Sequence, residues 1–250
     1  MTDARQTTRA QVWEELRKVA RADSRFHYNF AEFIADFEGS DEAVRRVTNL
    51  PEYQRAQLIF ITPDNNLAAM RRMALEAGIT TIMTTYGIGR GFLMITREDV
   101  PPGQEEFAST LDGMDRFARP ISLDEIALLG RFDLLVTGAA VVTMDGIRFG
   151  KGHGFFDLEW AMFWDIGVVD RQTPVAAVVH DCQVVDLSLR PDAHDTIVDY
   201  IMTPTRSLRV SSPYVKPAGI DWQILSEETR LAIPPLQQLY DRRDSVKVRR

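Results

Sequence analysis

Arg148-Phe149-Gly150-Lys151-Gly152-His153-Gly154-Phe155-Phe156-Asp157-Leu158-Glu159-Trp160 lies between two strongly apolar segments. Ahead of it, Leu134-Leu135-Val136-Thr137-Gly138-Ala139-Ala140-Val141-Val142 predicts a buried strand over 133–142. Behind it, Leu158 to Trp164 predicts a helix. A glycine at every second position frees the backbone to curl, so that consecutive N–H groups point into one concavity. A helix N-terminus just behind adds unpaired donors and the positive end of its dipole. Lys151 supplies a full positive charge, and Asp157 can hold a magnesium ion beside phosphates. The pattern predicts a phosphate cradle at a strand-to-helix junction; the alternative is a glycine-rich turn that binds nothing. It is neither of two familiar glycine loops. No Ser or Thr follows Lys151, as Walker A requires, and the third glycine comes one residue too early for the dinucleotide fingerprint.

Outward from the cradle, the signs of a parallel α/β sheet accumulate. Leu58-Ile59-Phe60-Ile61-Thr62 and Thr80-Thr81-Ile82-Met83-Thr84 read as strands flanking a helix over 66–77 that ends at Gly78. Between Tyr86 and Phe92, three glycines and Arg90 form a second loop at a strand's C-terminal end, the edge where open parallel sheets bind ligands. Residues 174–180 predict another strand ending in His180-Asp181, and Asp199 to Thr203 a last short one. Residues 1–8 read as a polar, frayed start, followed by a helix from Thr8 to Arg21. Arg5 and Arg9 are four apart and share one face if that helix starts early. The aromatic run His27-Tyr28-Asn29-Phe30 with Phe33 reads as a loop plus a short helix, and Ser40 or Asp41 as the cap of a helix over 41–50 stopped by Pro51. Polar loops and an acidic helix start, Leu123 to Leu129, fill 96–131. Beyond Val210, prolines at 213, 217, 234 and 235 predict an extended arm with short helices around Glu227–Leu231 and Leu236–Tyr240. The expected division is an α/β domain over 1–210 and a proline-rich arm over 211–250. The terminal basic run Lys247-Val248-Arg249-Arg250 is assigned no function.

Composition narrows the function classes. The 250 residues are 45% hydrophobic and 26% charged, as in a soluble globular protein with a substantial core. A net charge of −7 argues against a nucleic-acid surface. One cysteine, Cys182, leaves no intrachain disulfide and suits a reducing cytoplasm. With no long apolar run and a polar N-terminus, neither a membrane span nor a signal peptide is expected. The four histidines make no metal-pair spacing, and no nucleophile elbow is present. His153 could reach a phosphate oxygen or point to solvent, and His194-Asp195 reads as a hydrogen-bonded pair fixing a turn.

Arg148-x-Gly150-x-Gly152-x-Gly154-Phe155-Phe156-Asp157 resembles the R-x-G-x-G-x-G-Y-Y-D signature of the 5-formyltetrahydrofolate cyclo-ligase (methenyltetrahydrofolate synthetase) family. The extended form through Leu158-Glu159-Trp160 is similar to the family's divergent, synthetase-domain-containing branch. The resemblance continues through His180 to Asp186, His194-Asp195 and Thr203-Pro204-Thr205-Arg206, and covers roughly residues 5–210. It implies a three-layer α/β/α domain with a mainly parallel sheet, of the NagB/RpiA/CoA-transferase-like kind. It also implies a reaction in which ATP and magnesium convert 5-formyltetrahydrofolate to 5,10-methenyltetrahydrofolate, ADP and phosphate. The formyl oxygen attacks the γ-phosphate, N10 closes the ring, and phosphate leaves; no protein nucleophile is needed.

The residue roles that follow are likewise implied. Arg148, Lys151 and Asp157 act in catalysis, with Asp157 on the metal. Arg5 and Arg9, matching the family's K-x-x-x-R pair, join Gly150, Lys151, Gly152, His153, Gly154 and Phe155 around the nucleotide. Phe156 and Glu159 face the folate. The chain departs from the pattern where both tyrosine hydroxyls are lost at Phe155 and Phe156, where Leu158 replaces a basic residue, and where Glu159 adds an acid. Two other readings stay open on this scaffold: a folate-linked one-carbon enzyme such as a methenyltetrahydrofolate hydrolase or group-transfer enzyme, with or without ATP, and a non-catalytic nucleotide- or folate-binding module.

Overall fold

Strands that are apolar on both faces require a covering layer above and below, and this chain supplies both. A computed structural model describes residues 4–248; Met1 to Asp3 of the expected frayed start, and Arg249 and Arg250 of the terminal basic run, lie outside the described residues. The first helix, α1, spans Ala4–Leu16, so residues 4–8 are helical rather than frayed and Arg5 and Arg9 sit in its first two turns. Turns and isolated bridges, with no helix, occupy residues 22–39. Next come α2 (Ser40–Thr48) and α3 (Pro51–Gln54). The residue before α2 is Gly39 at φ +79°, so neither Ser40 nor Asp41 serves as the cap.

The sheet then begins with β1 (Leu58–Ile61), α4 (Ala68–Glu76), β2 (Thr80–Thr84) and β3 (Phe92–Ile95). The segment expected to be loops holds α5 (Glu105–Ala108), α6 (Leu111–Phe117) and β4 (Arg119–Ile121), ahead of α7 (Leu123–Leu129). α7 starts on a capping box in which the Ser122 hydroxyl accepts the Glu125 N–H and the Glu125 carboxylate accepts the Ser122 N–H. The strand expected over 133–142 is two strands, β5 (Leu134–Thr137) and β6 (Val141–Thr143). The break falls at Gly138, where an added Cβ would lie 2.7 Å from Ile34 Cγ2 and 2.9 Å from Asp64 Oδ2. The chain continues through β7 (Arg148–Phe149), α8 (Phe155–Asp165), β8 (Val175–Val178), β9 (Val184–Val185), β10 (Tyr200–Met202), β11 (Ser207–Arg209), α9 (Glu227–Ala232) and α10 (Pro234–Val248). α10 is much longer than the short helix expected there, because Pro234 and Pro235 occupy its first turn, where the missing N–H costs nothing.

Eight strands form the main sheet in the order β11-β10-β8-β5-β1-β2-β3-β4. From β10 to β2 every pairing is parallel; β11, β3 and β4 join antiparallel at the edges. β7, β6 and β9 make a small second sheet that carries the glycine loop. Alternate strand residues bury on opposite sides. Ile59, Ile61, Leu134 and Val136 pack with Val44, Val47, Met70 and Ala74 of α2 and α4. Leu58, Phe60, Leu135 and Ala177 pack with Trp160 and Phe163 of α8, Ile126 of α7, and Ile233 and Leu236 from the arm. The result is the expected three-layer α/β/α architecture with a mainly parallel sheet.

Candidate functional site

A cleft opens at the C-terminal ends of β1, β2 and β5, beside the first turn of α8. The chain leaves β1 toward β2 on one side and reaches β5 on the other, so this is a topological switch point, where side-by-side loops diverge and leave room for a ligand. Thr62 to Asn65 follow β1, Thr84 to Ile88 end β2 and its loop, and Thr137 ends β5; all line the cleft. Phe33 and Ile34, with Arg148, Gly150, Lys151, His153, Gly154 and Phe155, complete the lining.

Two of the three glycines of the loop take conformations that need glycine. Gly152 has φ +119° and Gly154, immediately before α8, has φ +66°, conformations that side-chain-bearing residues rarely adopt. A Cβ at either would meet nothing within 4 Å, so open space lies over the loop. Among the described residues, no protein acceptor takes the backbone N–H of residues 150 to 154. Exposed amides of this kind at a helix N-terminus are an anion site.

Cations gather around the loop in different states of engagement. Arg9 Nε donates to the Gly150 carbonyl at 2.9 Å, so α1 holds the loop by its backbone. Arg5 lies one turn earlier, pairing with Asp192 at 3.1 Å and with Asp195. Both guanidinium groups lie over the Phe149 ring, at 5.6 and 5.5 Å from its centroid, and neither lines the cleft. Lys151 does line it; its Nζ donates to the Glu32 carbonyl at 2.5 Å and sits 4.8 Å from the Tyr86 ring centroid. Burial pushes the Lys151 ammonium below its usual range, while the Asp64 and Glu32 carboxylates oppose that. His153 stacks on Phe155 with centroids 5.4 Å apart.

Arg148 and Asp157 form a buried pair. Arg148 Nη2 lies 3.4 Å from Asp157 Oδ2, Nη1 reaches the Gly138 carbonyl, and the guanidinium rests on the Phe156 ring at 4.7 Å. Asp157 Oδ1 accepts the Thr196 N–H at 2.9 Å. Burial raises the Asp157 carboxyl above its usual range, with Arg148 pulling the other way. Magnesium needs accessible oxygen ligands in near-octahedral array. A carboxylate 8% exposed, with both oxygens accepting from protein donors and absent from the cleft wall, does not fit that need in this arrangement.

Glu159 is the acid that reaches the cleft wall, two residues further along α8. It is 2% exposed; Oε1 accepts the Thr84 hydroxyl at 2.5 Å, and Oε2 has no partner among the described residues. Burial, with some opposition from the Thr84 hydrogen bond, pushes its carboxyl up to about 8. Several cleft residues carry no local signal in the sequence. Arg25, Asp64 and Thr84 arrive from distant segments, and Asp64 is fixed by Thr62 Oγ1 at 2.5 Å and the Gly138 N–H at 2.9 Å. Proximity to a strand's C-terminal end is the one clue that could have singled out Asp64 and Thr84. Away from the cleft, His194-Asp195 sits in a turn, with Asp195 Oδ2 accepting the Asp192 N–H at 2.7 Å.

The model of the 5-formyltetrahydrofolate cyclo-ligase family matches residues 1–204. The chain is 34% identical over 241 residues to the human methenyltetrahydrofolate synthase domain-containing protein, covering 94% of this chain and 61% of that one. It is 33% identical over 238 residues to the zebrafish (Danio rerio) protein of the same name, covering 92% of this chain and 60% of the other. The chain therefore spans about three fifths of the length of these relatives. An NMR structure of 5,10-methenyltetrahydrofolate synthetase from Aquifex aeolicus superposes with a TM-score of 0.50 at 14% identity, over 84% of this chain and 94% of that one, and so shares the fold. By its glycine-loop signature and the match of the family model over most of its length, this chain belongs to the 5-formyltetrahydrofolate cyclo-ligase family.

Proposed function

We propose that the protein is an ATP-dependent cyclo-ligase that converts 5-formyltetrahydrofolate to 5,10-methenyltetrahydrofolate. The observation that carries this reading is the row of unpartnered amides at residues 150 to 154, opening at the start of α8 on the wall of the cleft. In this reading the amides of Gly150, Gly152, His153 and Gly154 take the nucleotide phosphates, and Arg9 keeps the loop in shape through the Gly150 carbonyl. Lys151 moves from the Glu32 carbonyl to the transferring phosphoryl group, and Arg148 holds Asp157 and the root of the loop. Arg5 steadies α1 against the 192–195 turn. Phe155, Phe156 and Glu159 border the folate side. Magnesium would neutralise phosphate charge; Asp157, the residue the resemblance assigns to it, is engaged here by Arg148 and the Thr196 N–H. Positioning and charge neutralisation are sufficient for a phosphoryl transfer followed by ring closure, and this chemistry requires no protein nucleophile.

One observation favours a folate-linked enzyme that needs no ATP: Lys151, the loop's own cation, is already tied to the Glu32 carbonyl and the Tyr86 face. A single assay separates the two. The protein is incubated with 5-formyltetrahydrofolate, with and without ATP and magnesium, and methenyl absorbance is followed. Absorbance that rises only with ATP is the expected result; none in either condition rejects the cyclo-ligase reading.

A further inference from the structure

Three segments remote in sequence meet at one backbone carbonyl. The Glu32 carbonyl accepts the Tyr86 hydroxyl at 3.0 Å and the Lys151 ammonium at 2.5 Å. Lys151 Nζ also lies 4.8 Å from the centroid of the Tyr86 ring, within cation–π range. The segment that carries Glu32 holds the same ring: Phe26 stacks on it with centroids 5.9 Å apart, and the Arg25 guanidinium lies 5.8 Å from its centroid. The loop bearing Tyr86 keeps a costly shape. Gly87 and Ile88 have φ +61° and +57° in succession, and a β-branched residue is strained there. Ile88 is 1% exposed in the core, the Thr85 N–H reaches the Gly91 carbonyl at 3.1 Å, and the Thr85 hydroxyl accepts the Arg90 N–H at 2.9 Å. These contacts fix the loop, yet the side chain it presents, Tyr86, is 47% exposed on the cleft lining and adds little to the core. What Tyr86 does touch is the cation of the glycine loop.

We propose that Tyr86 is a positioning residue that holds Lys151 on the Glu32 carbonyl and so withholds its charge from a polyphosphate on the glycine loop. The ring attracts the ammonium through its face, and the hydroxyl pins the carbonyl that accepts it. A polyphosphate that uses Lys151 must take it from both, so the apparent affinity is reduced by the fraction of molecules in which the ammonium is released. The contact is autoinhibitory. It rests on the reading of residues 150 to 154 as a phosphate site and is independent of the folate chemistry.

The test is calorimetry with inorganic triphosphate and magnesium, a probe that has no ring for Tyr86 to touch, on wild type, Y86L, K151M and the double variant. Y86L should bind triphosphate more tightly than wild type by about 3- to 30-fold, the usual worth of a cation–π contact once it no longer competes. Because the gain acts through Lys151, the double variant should bind no better than K151M. A ring that merely blocks the entrance would give the same gain in both backgrounds, and that result overturns the proposal. So does a Y86L that binds as wild type does, or more weakly. Should Y86L fail to fold, Y86S, which removes the same ring, takes its place under the same criteria. Triphosphate binding absent from both wild type and Y86L removes the phosphate reading of the loop and this proposal with it. Binding without a gain removes this proposal alone. A gain in a protein that forms no methenyl product keeps the proposal while the cyclo-ligase reading falls.

Discussion

Burial holds the Glu159 carboxyl proton up to about pH 8, and the consequences can be measured without any ligand. The unfolded chain releases that proton near 4.5, the folded one much later. Between those values the folded state binds the extra proton, so its stability falls as pH rises and levels off beyond about 8. Asp157 is shifted in the same direction and adds to the slope. E159Q, which has no proton to lose, should flatten the fall between pH 5.5 and 8.5 by an amount on the order of a few kcal/mol. Urea midpoints at the two pH values read this directly. Parallel pH profiles for wild type and E159Q would mean that the carboxyl is solvated in solution and that its orphaned oxygen has a partner. A second residue-scale expectation concerns Gly152. Its φ of +119° strains any L side chain by about 1–3 kcal/mol, and its missing Cβ faces open space above the loop. G152V should abolish ATP binding while the protein stays folded; a variant that binds ATP like wild type would refute the cradle.

At the scale of elements, α1 acts on the glycine loop through two arginines with different duties. Arg9 reaches the Gly150 carbonyl, whereas Arg5 reaches the 192–195 turn, whose Asp195 is 5% exposed. R9A should weaken ATP binding about tenfold with little change in melting temperature, since one charged hydrogen bond to the loop is lost. R5A should instead destabilise the fold by roughly 1–3 kcal/mol, because it strips a cation from a buried carboxylate. Equal effects of the two on ATP affinity would argue against this division. The same elements show what a sequence can and cannot disclose. The apolar runs at 58–62, 80–84 and 174–180 announce themselves because buried parallel strands are apolar on both faces, and the glycine loop does so because its spacing is rare. β4 contains Pro120 and β7 has two residues, so neither carries a strand pattern; they exist because neighbours supply the pairing. The split of the 133–142 run is invisible for a related reason: the Gly138 N–H goes to Asp64 Oδ2 in place of a neighbouring strand, and Ile34 and Asp64 lie too close there for any side chain, both brought by remote chain. The Thr84–Glu159 bond spans 75 residues, and the Lys151 contact with the Glu32 carbonyl spans 119, so no local motif could pair them.

For the whole molecule, the question is whether residues 211–250 form an appendage or part of the body. The sequence suggests an appendage because four prolines interrupt its periodicity. The packing argues otherwise. Ile233 and Leu236 are 2% and 0% exposed and belong to the same core as Trp160 and Phe163, on the face of the sheet that α8 covers. The Pro217 carbonyl accepts the Trp160 indole N–H at 3.0 Å, and Lys216, 6% exposed, bonds Asp199 at 2.5 Å and the Thr173 carbonyl at 2.8 Å. Removing the arm would therefore uncover Trp160, orphan its N–H, and leave apolar surface on α8 facing water. Each fully buried large apolar side chain contributes about 1.5–3 kcal/mol, against total stabilities of about 5–15 kcal/mol for a domain of ordinary size. Losing Ile233 and Leu236 along with the Pro217 and Lys216 bonds is enough to threaten the fold. A chain truncated after Val210 should be insoluble or should melt at least 10 °C lower with a broadened transition, and its glycine loop, mounted on α8, should bind ATP more weakly. Thermal unfolding and ATP titration of the truncated protein beside the full chain check both. A truncated protein that melts cooperatively at the full-length temperature and binds ATP equally well would show that residues 1–210 fold as a unit and that the arm merely rests on α8.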